Sequence, residues 1–132
     1  MKRVTGIGGV FFKSRDREKS LAWYREHLGV PAESWGAMLR WREDDAPERV
    51  GYTVWSPFAE DSKYFAPSEQ SFMVNFRVHD LEALLAQLAN EGVTIVGEMA
   101  REENGKFAWI LDPDGTKIEL WEPVEPGSDP YL

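Results

Sequence analysis

Apolar positions change period along the chain, and the order of changes is the same in both halves. Residues 5–13 are rich in apolar residues without helical spacing and read as a strand. Asp16 follows where a helix N-cap belongs. Leu21, Tyr24 and Leu28 then repeat at i, i+3 and i+7, which predicts a helix over 17–28 lying on a sheet. Gly29 provides a stop and Pro31 blocks resumption. Short strands are expected near 37–42 and 50–56, joined by the acidic, Pro-containing turn 43–49. From residue 71 the order begins again. A strand over 71–78 leads to Asp80 as cap and a helix over 81–91 that buries Leu81, Leu84, Leu85 and Leu88, with Gly92 at its end. Strands are expected near 93–99, 106–111 and 116–122, the last two joined by the turn residues Asp112-Pro113-Asp114-Gly115.

The repeat is visible in the residues themselves. Gly-Gly-Val-Phe-Phe-Lys-Ser-Arg-Asp at 8–16 recurs in pattern as Phe-Met-Val-Asn-Phe-Arg-Val-His-Asp at 72–80. Tyr-Thr-Val-Trp-Ser-Pro at 52–57 recurs as Ile-Glu-Leu-Trp-Glu-Pro at 118–123. A duplication constrains the fold, because equivalent segments take equivalent places. The chain therefore reads as a single domain over 1–132: module one at 4–57, a linker at 58–70, module two at 71–123 and an irregular tail at 124–132. A helix on one face of a mostly antiparallel sheet leaves the other face free. The expected class is α+β: two tandem βαβββ modules forming a curved mixed sheet around a cleft, with the helices on the outer face.

Composition narrows the function. The chain has no cysteine, so it has neither a disulfide framework nor a thiolate metal site or nucleophile. Its net charge of −8 speaks against a nucleic-acid partner, which needs a basic stripe. There is no apolar run of spanning length and no signal-peptide pattern, since Met1-Lys2-Arg3 leads straight into a strand, so no membrane partner and a cytoplasmic location are expected. Six Trp among 132 residues exceed what a core of this size needs and point to an aromatic-lined cavity.

Several segments carry a family resemblance. They are Gly6-Ile-Gly-Gly-Val-Phe-Phe12 before Asp16, Leu21-Ala-Trp-Tyr-Arg-Glu-His-Leu-Gly29, Phe76-Arg-Val-His-Asp80 and Trp109-Ile-Leu-Asp-Pro-Asp-Gly-Thr-Lys-Ile-Glu-Leu-Trp121. Over residues 4–123 the chain resembles the vicinal-oxygen-chelate superfamily, which includes glyoxalases, extradiol dioxygenases and bleomycin resistance proteins. Metal-using members carry ligands on the first and last strand of each module. The resemblance puts those four positions at Gly9, Thr53, Met73 and Glu119. Only Glu119 is a competent ligand for a hard divalent ion, and a catalytic site normally needs three protein ligands. No metal and no other cofactor is therefore expected. His27 and His79 do not fill the gap. One sits in the last turn of a helix and the other just before a helix cap.

The resemblance also turns the Glu119 side of its strand toward the cleft. Alternation then brings Lys117 and Trp121 to the same face, with Ile7, Gly9, Phe11, Lys13, Met73, Asn75 and Arg77 on the partner strands. By the repeat, Gly51, Thr53 and Trp55 match Lys117, Glu119 and Trp121, and Met38 and Arg40 align with Phe107 and Trp109. The candidate ligand-binding wall is Phe11, Met38, Arg40, Thr53, Trp55, Met73, Asn75, Phe107, Trp109 and Trp121, with Glu119 as the candidate catalytic group. Arg40 or Lys117 is expected to pair with Glu119. The expected function is metal-free binding of a small aromatic or amphipathic, neutral-to-anionic molecule. The alternative is an isomerase, lyase or dioxygenase of the superfamily using Glu119 as general base or as a ligand of an altered metal site. The resemblance implies a homodimer.

Overall fold

The computed structural model describes residues 3–132; Met1 and Lys2, which the sequence reading sets ahead of the first strand, lie outside the described residues. The elements are β1 (Val4–Ser14), α1 (Arg17–Leu28), β2 (Ala37–Arg42), β3 (Val50–Ala59), β4 (Phe72–Val78), α2 (Leu81–Asn90), β5 (Ala100–Glu102), β6 (Gly105–Leu111) and β7 (Lys117–Pro123), then a 3-10 turn at Pro126–Ser128. The strands form one open mixed sheet in the order β2-β3-β1-β4-β7-β6-β5. β1 runs parallel to β3, and β4 runs parallel to β7. The seam between the halves is the antiparallel β1–β4 pair.

Local chemistry explains the repeat. Asp16 accepts a hydrogen bond from the Lys19 N–H at 3.1 Å, and Asp80 accepts one from the Ala83 N–H at 3.1 Å. Both helices thus start by satisfying a backbone donor that the first turn leaves free. Gly29 ends α1 at φ 67, a left-handed conformation that glycine takes without penalty.

Both helices cover the same face. Trp55 of β3 packs 5.5 Å from Phe12 and 4.6 Å from Tyr24 of α1. Leu81, Leu84 and Leu88 of α2 pack with Val78, Ala108 and Leu120. The other face carries the buried side chains Phe11, Met73, Asn75, Arg77, Lys117, Glu119 and Trp121. Among the described residues no helix shields it. Phe65 from the connection between β3 and β4 packs on Phe11 and Met73, and Asp129 is buried near the end of the chain.

Three details depart from the sequence reading. The first half is βαββ rather than βαβββ, because residues 30–36 contribute only an isolated bridge between Glu33 and Gly36. Residues 93–99 make only the bridge Ile95–Ile110. Gly97, at φ 71, turns the chain there, and the third strand forms later as β5. Leu28 belongs to the expected buried stripe of α1 but is 62 % exposed. No described helix is long and apolar enough to cross a membrane.

Replacing fully buried Leu81 by Ala should cost about 2–5 kcal/mol, and replacing Leu28 should cost about 0.5 kcal/mol or less. Urea denaturation of the two variants measures the contrast. Equal losses would mean that α1 is packed as tightly as α2.

Candidate functional site

Strand pairing lines up six residues across the sheet: Met38, Val54, Gly9, Asn75, Glu119 and Trp109. The row is centred on the β1–β4 seam, where Gly9 faces Asn75. In the neighbouring row Arg40 faces Tyr52 in the first half, and Arg77, Trp121 and Phe107 follow one another in the second. The parallel pairs make this alignment possible, since they place the middle of β3 beside β1 and the middle of β7 beside β4.

Glu119 is the polar centre of the row and is 3 % exposed. Its Oε1 accepts from Asn75 Nδ2 at 2.7 Å, and its Oε2 accepts from Trp109 Nε1 at 2.9 Å and from the Tyr64 hydroxyl. A buried carboxyl needs such donors, because burial without them would cost several kcal/mol. Neither Arg40 nor Lys117 pairs with it directly. Arg40 is exposed at the β2 edge. Lys117 donates its Nζ to the Tyr64 carbonyl at 2.7 Å and lies over the Tyr64 and Trp109 rings at 5.3 and 5.6 Å. Burial lowers the Lys117 pKa, and Glu119 partly offsets this. Burial, followed by the charge and hydrogen bond of Glu119, pushes the Tyr64 phenol well above its ordinary range.

Arg77 forms a second polar centre. Its guanidinium is boxed by Trp121, Trp41 and Tyr52 at 4.8, 5.2 and 5.6 Å. Gly6 and Gly51 leave the space that the Trp41 ring fills. Glu43 stands 3.9 Å from Nη2, while Nη1 is buried without a hydrogen-bond partner. Burial lowers the Arg77 pKa, countered by Glu43, Tyr52 and Asp129. The Tyr52 hydroxyl donates to Asp129 Oδ2 at 2.7 Å, and burial, then this bond, raises its pKa. Asn75 Oδ1 is also without a partner. A Cβ on Gly8 would collide with it and lie 2.8 Å from the Trp121 ring, so only glycine fits at that position.

Two hollows lie over this face. One of about 390 Å³ is lined by Trp35, Met38, Tyr52 and Val54. The other, of about 320 Å³, is lined by Tyr64, Phe107 and Trp109 and by the exposed carboxylates Glu102 and Glu103. Asn104 and Tyr131 line both and so stand between them. A larger hollow of about 660 Å³ runs along the β2 edge past Leu39 and Arg40, away from Glu119.

Of the expected wall, Met38, Phe107 and Trp109 line these hollows. Asn75 and Trp121 lie beneath them, both about 1 % exposed. Phe11 and Met73 occupy the same face but are closed over by Phe65. Thr53 and Trp55 do not join the wall. Thr53 faces Leu39 across the sheet and donates to the Ile7 carbonyl at 2.6 Å, and Trp55 packs under α1. Ile7 is displaced as well, because a register shift between Ile7 and Gly9 pairs it with Phe76. Sequence reasoning missed Tyr52, Tyr64, Asn104 and Tyr131. Only the aromatic content of the connection at 58–70 hinted at Tyr64.

The same pairing bears on the four positions that the family resemblance singles out. It sets Val54 and Asn75, rather than Thr53 and Met73, in one row with Gly9 and Glu119. This row does not fit a divalent ion. Gly9 and Val54 offer no donor, and Asn75 and Glu119 are bonded to each other. Among the described residues no group of three His, Cys, Asp or Glu is placed to hold a metal. His27 is exposed beside Trp23, and His79 is exposed ahead of the Asp80 cap.

The model of the Glyoxalase/Bleomycin resistance protein/Dioxygenase superfamily matches residues 6–120. The chain belongs to this superfamily. Among solved structures it is similar to methylmalonyl-CoA epimerase from Streptomyces coelicolor in complex with 2-nitronate-propionyl-CoA, with 20% identity, a TM-score of 0.68 and coverage of 92% of this chain and 99% of that one. The Mycobacterium tuberculosis methylmalonyl-CoA epimerase gives 23% identity and a TM-score of 0.61, covering 94% of this chain and 91% of that one. The Mn(II)-bound glyoxalase from Novosphingobium aromaticivorans gives 18% identity and a TM-score of 0.58; 95% of this chain matches 41% of that one. No curated protein matches the sequence significantly. At these identities the likeness is one of fold. Within the glyoxalase fold, then, this chain buries the Glu119 carboxylate and holds it with three donors.

Glu119→Leu should destabilise the protein by about 2–4 kcal/mol, because buried donors lose their acceptor, and Glu119→Gln should cost less. Chemical denaturation measures both. Tyr64 and Tyr52 keep their protons in the fold at a pH where the unfolded chain, with phenols near 10.0, loses them. Their contribution to stability is therefore complete below about pH 10 and falls as pH rises above it. A Tyr52→Phe/Tyr64→Phe double variant should lose less stability between pH 9 and 11 than the parent (window set by the ordinary phenol pKa of about 10).

Proposed function

We propose that this superfamily member binds a small aromatic or amphipathic, neutral-to-anionic molecule in the cleft, without a catalytic divalent metal. The observation that carries the reading is the state of Glu119. Its two oxygens accept three hydrogen bonds from Asn75, Trp109 and Tyr64, and Gly9 and Val54 in the same row bring no metal donor. Aromatic walls beside a few placed polar groups are the usual build of a small-molecule site. The buried cations Arg77 and Lys117 on the same face favour an anionic group over a cationic one. That speaks against a cationic glycopeptide of the bleomycin type.

Trp109 and Tyr64 line one hollow, so bound ligand should quench tryptophan fluorescence. A carboxylated aromatic should bind, Trp109→Ala should weaken it about ten-fold or more, and a cationic glycopeptide should not compete. Tight binding of the glycopeptide alone would sink the reading. Stoichiometric zinc, nickel, manganese or iron in purified protein would overturn the metal-free part.

A second reading has one observation in its favour. Glu119 Oε1 carries a single hydrogen bond, which leaves it an acceptor site for a substrate proton. Similar structures include methylmalonyl-CoA epimerases. Incubation with methylmalonyl-CoA in D2O separates the two readings. The binding reading expects no deuterium at the α-carbon. Exchange abolished by Glu119→Gln would establish Glu119 as a base.

The proposed assembly is a homodimer acting in the cytoplasm. Val4, Ile7, Val10 and Phe72 are each about 40 % exposed along the β1–β4 seam between the helices, an apolar strip that a second copy would cover. Light scattering of the parent should give twice the chain mass, and Val10→Glu should shift it toward the monomer. A monomeric parent would rule the dimer out.

A further inference from the structure

We propose that Tyr52 and Arg77 form a carboxylate-binding subsite in the cleft, that Asp129 fills it in this structure, and that a ligand carboxylate replaces Asp129 when residues 124–132 lift away. The inference rests on the binding reading above and names the group that the ligand must carry.

Two buried groups of opposite charge are close here without being joined. Asp129 is 6 % exposed, and its Oδ2 accepts only the Tyr52 hydroxyl, at 2.7 Å. Its Oδ1 is taken by the backbone N–H of Tyr131 at 2.9 Å, a local turn bond. The Arg77 side chain is 5 % exposed, and its Nη1 has no hydrogen-bond partner. Its guanidinium lies 5.6 Å from the centroid of the same Tyr52 ring. The partner within ion-pairing distance of Arg77 is Glu43, at 3.9 Å, and not Asp129. A buried guanidinium N–H without an acceptor is costly, and so is a buried carboxylate held by neutral donors alone. Asp129 is anchored through its own turn to the 3-10 segment, so it reaches the phenol and stops short of the guanidinium. A carboxylate on a free ligand has no such tether and can meet both. Arginine presents its N–H groups in a fork that suits this group.

The segment carrying Asp129 is lightly held. Its other polar contacts with the rest of the chain are the exposed Arg49–Glu125 pair at 2.6 Å, the Tyr131 hydroxyl on Glu103 at 3.3 Å and the Val124 N–H on the Asn104 carbonyl at 3.2 Å. Exposed pairs of this kind contribute little. Tyr131, on the same segment, is one of the two side chains dividing the hollows over the face. Moving it would let an aromatic body lie between Trp35 and Met38 on one side and Phe107 and Trp109 on the other. Asp129 thus acts as an internal competitor, and apparent affinity is reduced by the fraction of chains in which it is seated.

The test uses naphthalene-2-carboxylate and its uncharged carboxamide, titrated into the full-length chain by calorimetry or tryptophan quenching. The parent should prefer the carboxylate. Asp129→Ala should tighten the carboxylate about ten-fold while changing the amide less than about two-fold. Adding Tyr52→Phe should take back much of that gain. Asp129→Asn keeps an acceptor for the Tyr52 hydroxyl, so the fold is preserved, and it should shift selectivity the same way by a smaller factor. An unchanged carboxylate-to-amide ratio in both Asp129 variants would overturn the subsite, with binding of both compounds leaving the broader reading intact. If neither compound binds the parent or either variant, the binding reading itself fails.

Discussion

The three hydrogen bonds to Glu119 are the constraint on which the cleft depends. A carboxyl group at 3 % exposure has to be matched from several directions. The matches come from Asn75 on β4, Trp109 on β6 and Tyr64 in the connection between β3 and β4. One side chain therefore fixes the neighbours of its own strand and pulls a long connection down onto the sheet. That connection also carries Phe65, which seals Phe11 and Met73, and its Tyr64 carbonyl receives Lys117. Removing the acceptor would leave the donors unmatched and the connection without its polar anchor, so site and stability are coupled here.

The duplication shows how such a centre comes to be one-sided. Both halves supply a strand to the seam and a parallel partner to it, and the row Val54–Gly9–Asn75–Glu119 is nearly symmetric about that seam. Its chemistry is not symmetric. The first half gives no polar side chain, and the second gives an amide and a carboxylate already bonded to each other. A catalytic divalent ion would need more ligands than this row supplies. An organic ligand needs only a wall and a few polar points, which this arrangement retains.

The fold was largely legible because its signals are local. The Asp16 and Asp80 caps, the Leu81–Leu88 stripe and the Asp112–Gly115 turn are each written within a few residues, and both helices begin where those residues put them. The site was legible only in part, since it depends on register. The reading of β7 was right for Lys117, Glu119 and Trp121, which share the buried face. Copying that register onto β3 through the repeat moved every side chain by one position, so Thr53 and Trp55 were set where Tyr52 and Val54 stand. On β1 the irregularity between Ile7 and Gly9 reversed the face of Ile7. Tyr64, Asn104 and Tyr131 reach the site from loops and the tail, and no period along a strand announces such residues.

Arg77 and Lys117 are buried cations in a chain of negative net charge, and carboxylates stand near both of them. The net charge of −8 belongs mostly to exposed turns and helix surfaces. At physiological salt that field is screened beyond about 8 Å. Arg77 and Lys117 lie inside the fold, where burial lowers both pKa values and where a charge is screened far less. Under the proposed function, an approaching anion meets weak repulsion outside and attraction at contact only where it comes nearer to these cations than Glu43, Asp129 and Glu119 do. The outer field slows encounter, and the inner one slows departure. The proposed ligand, an apolar ring with one negative group, would use both parts of the site: the ring would gain from the aromatic walls, and the charge would meet the buried cations. A purely polar anion would give up the first gain and face the same outer repulsion, so the proposal needs the aromatic body as much as the charge.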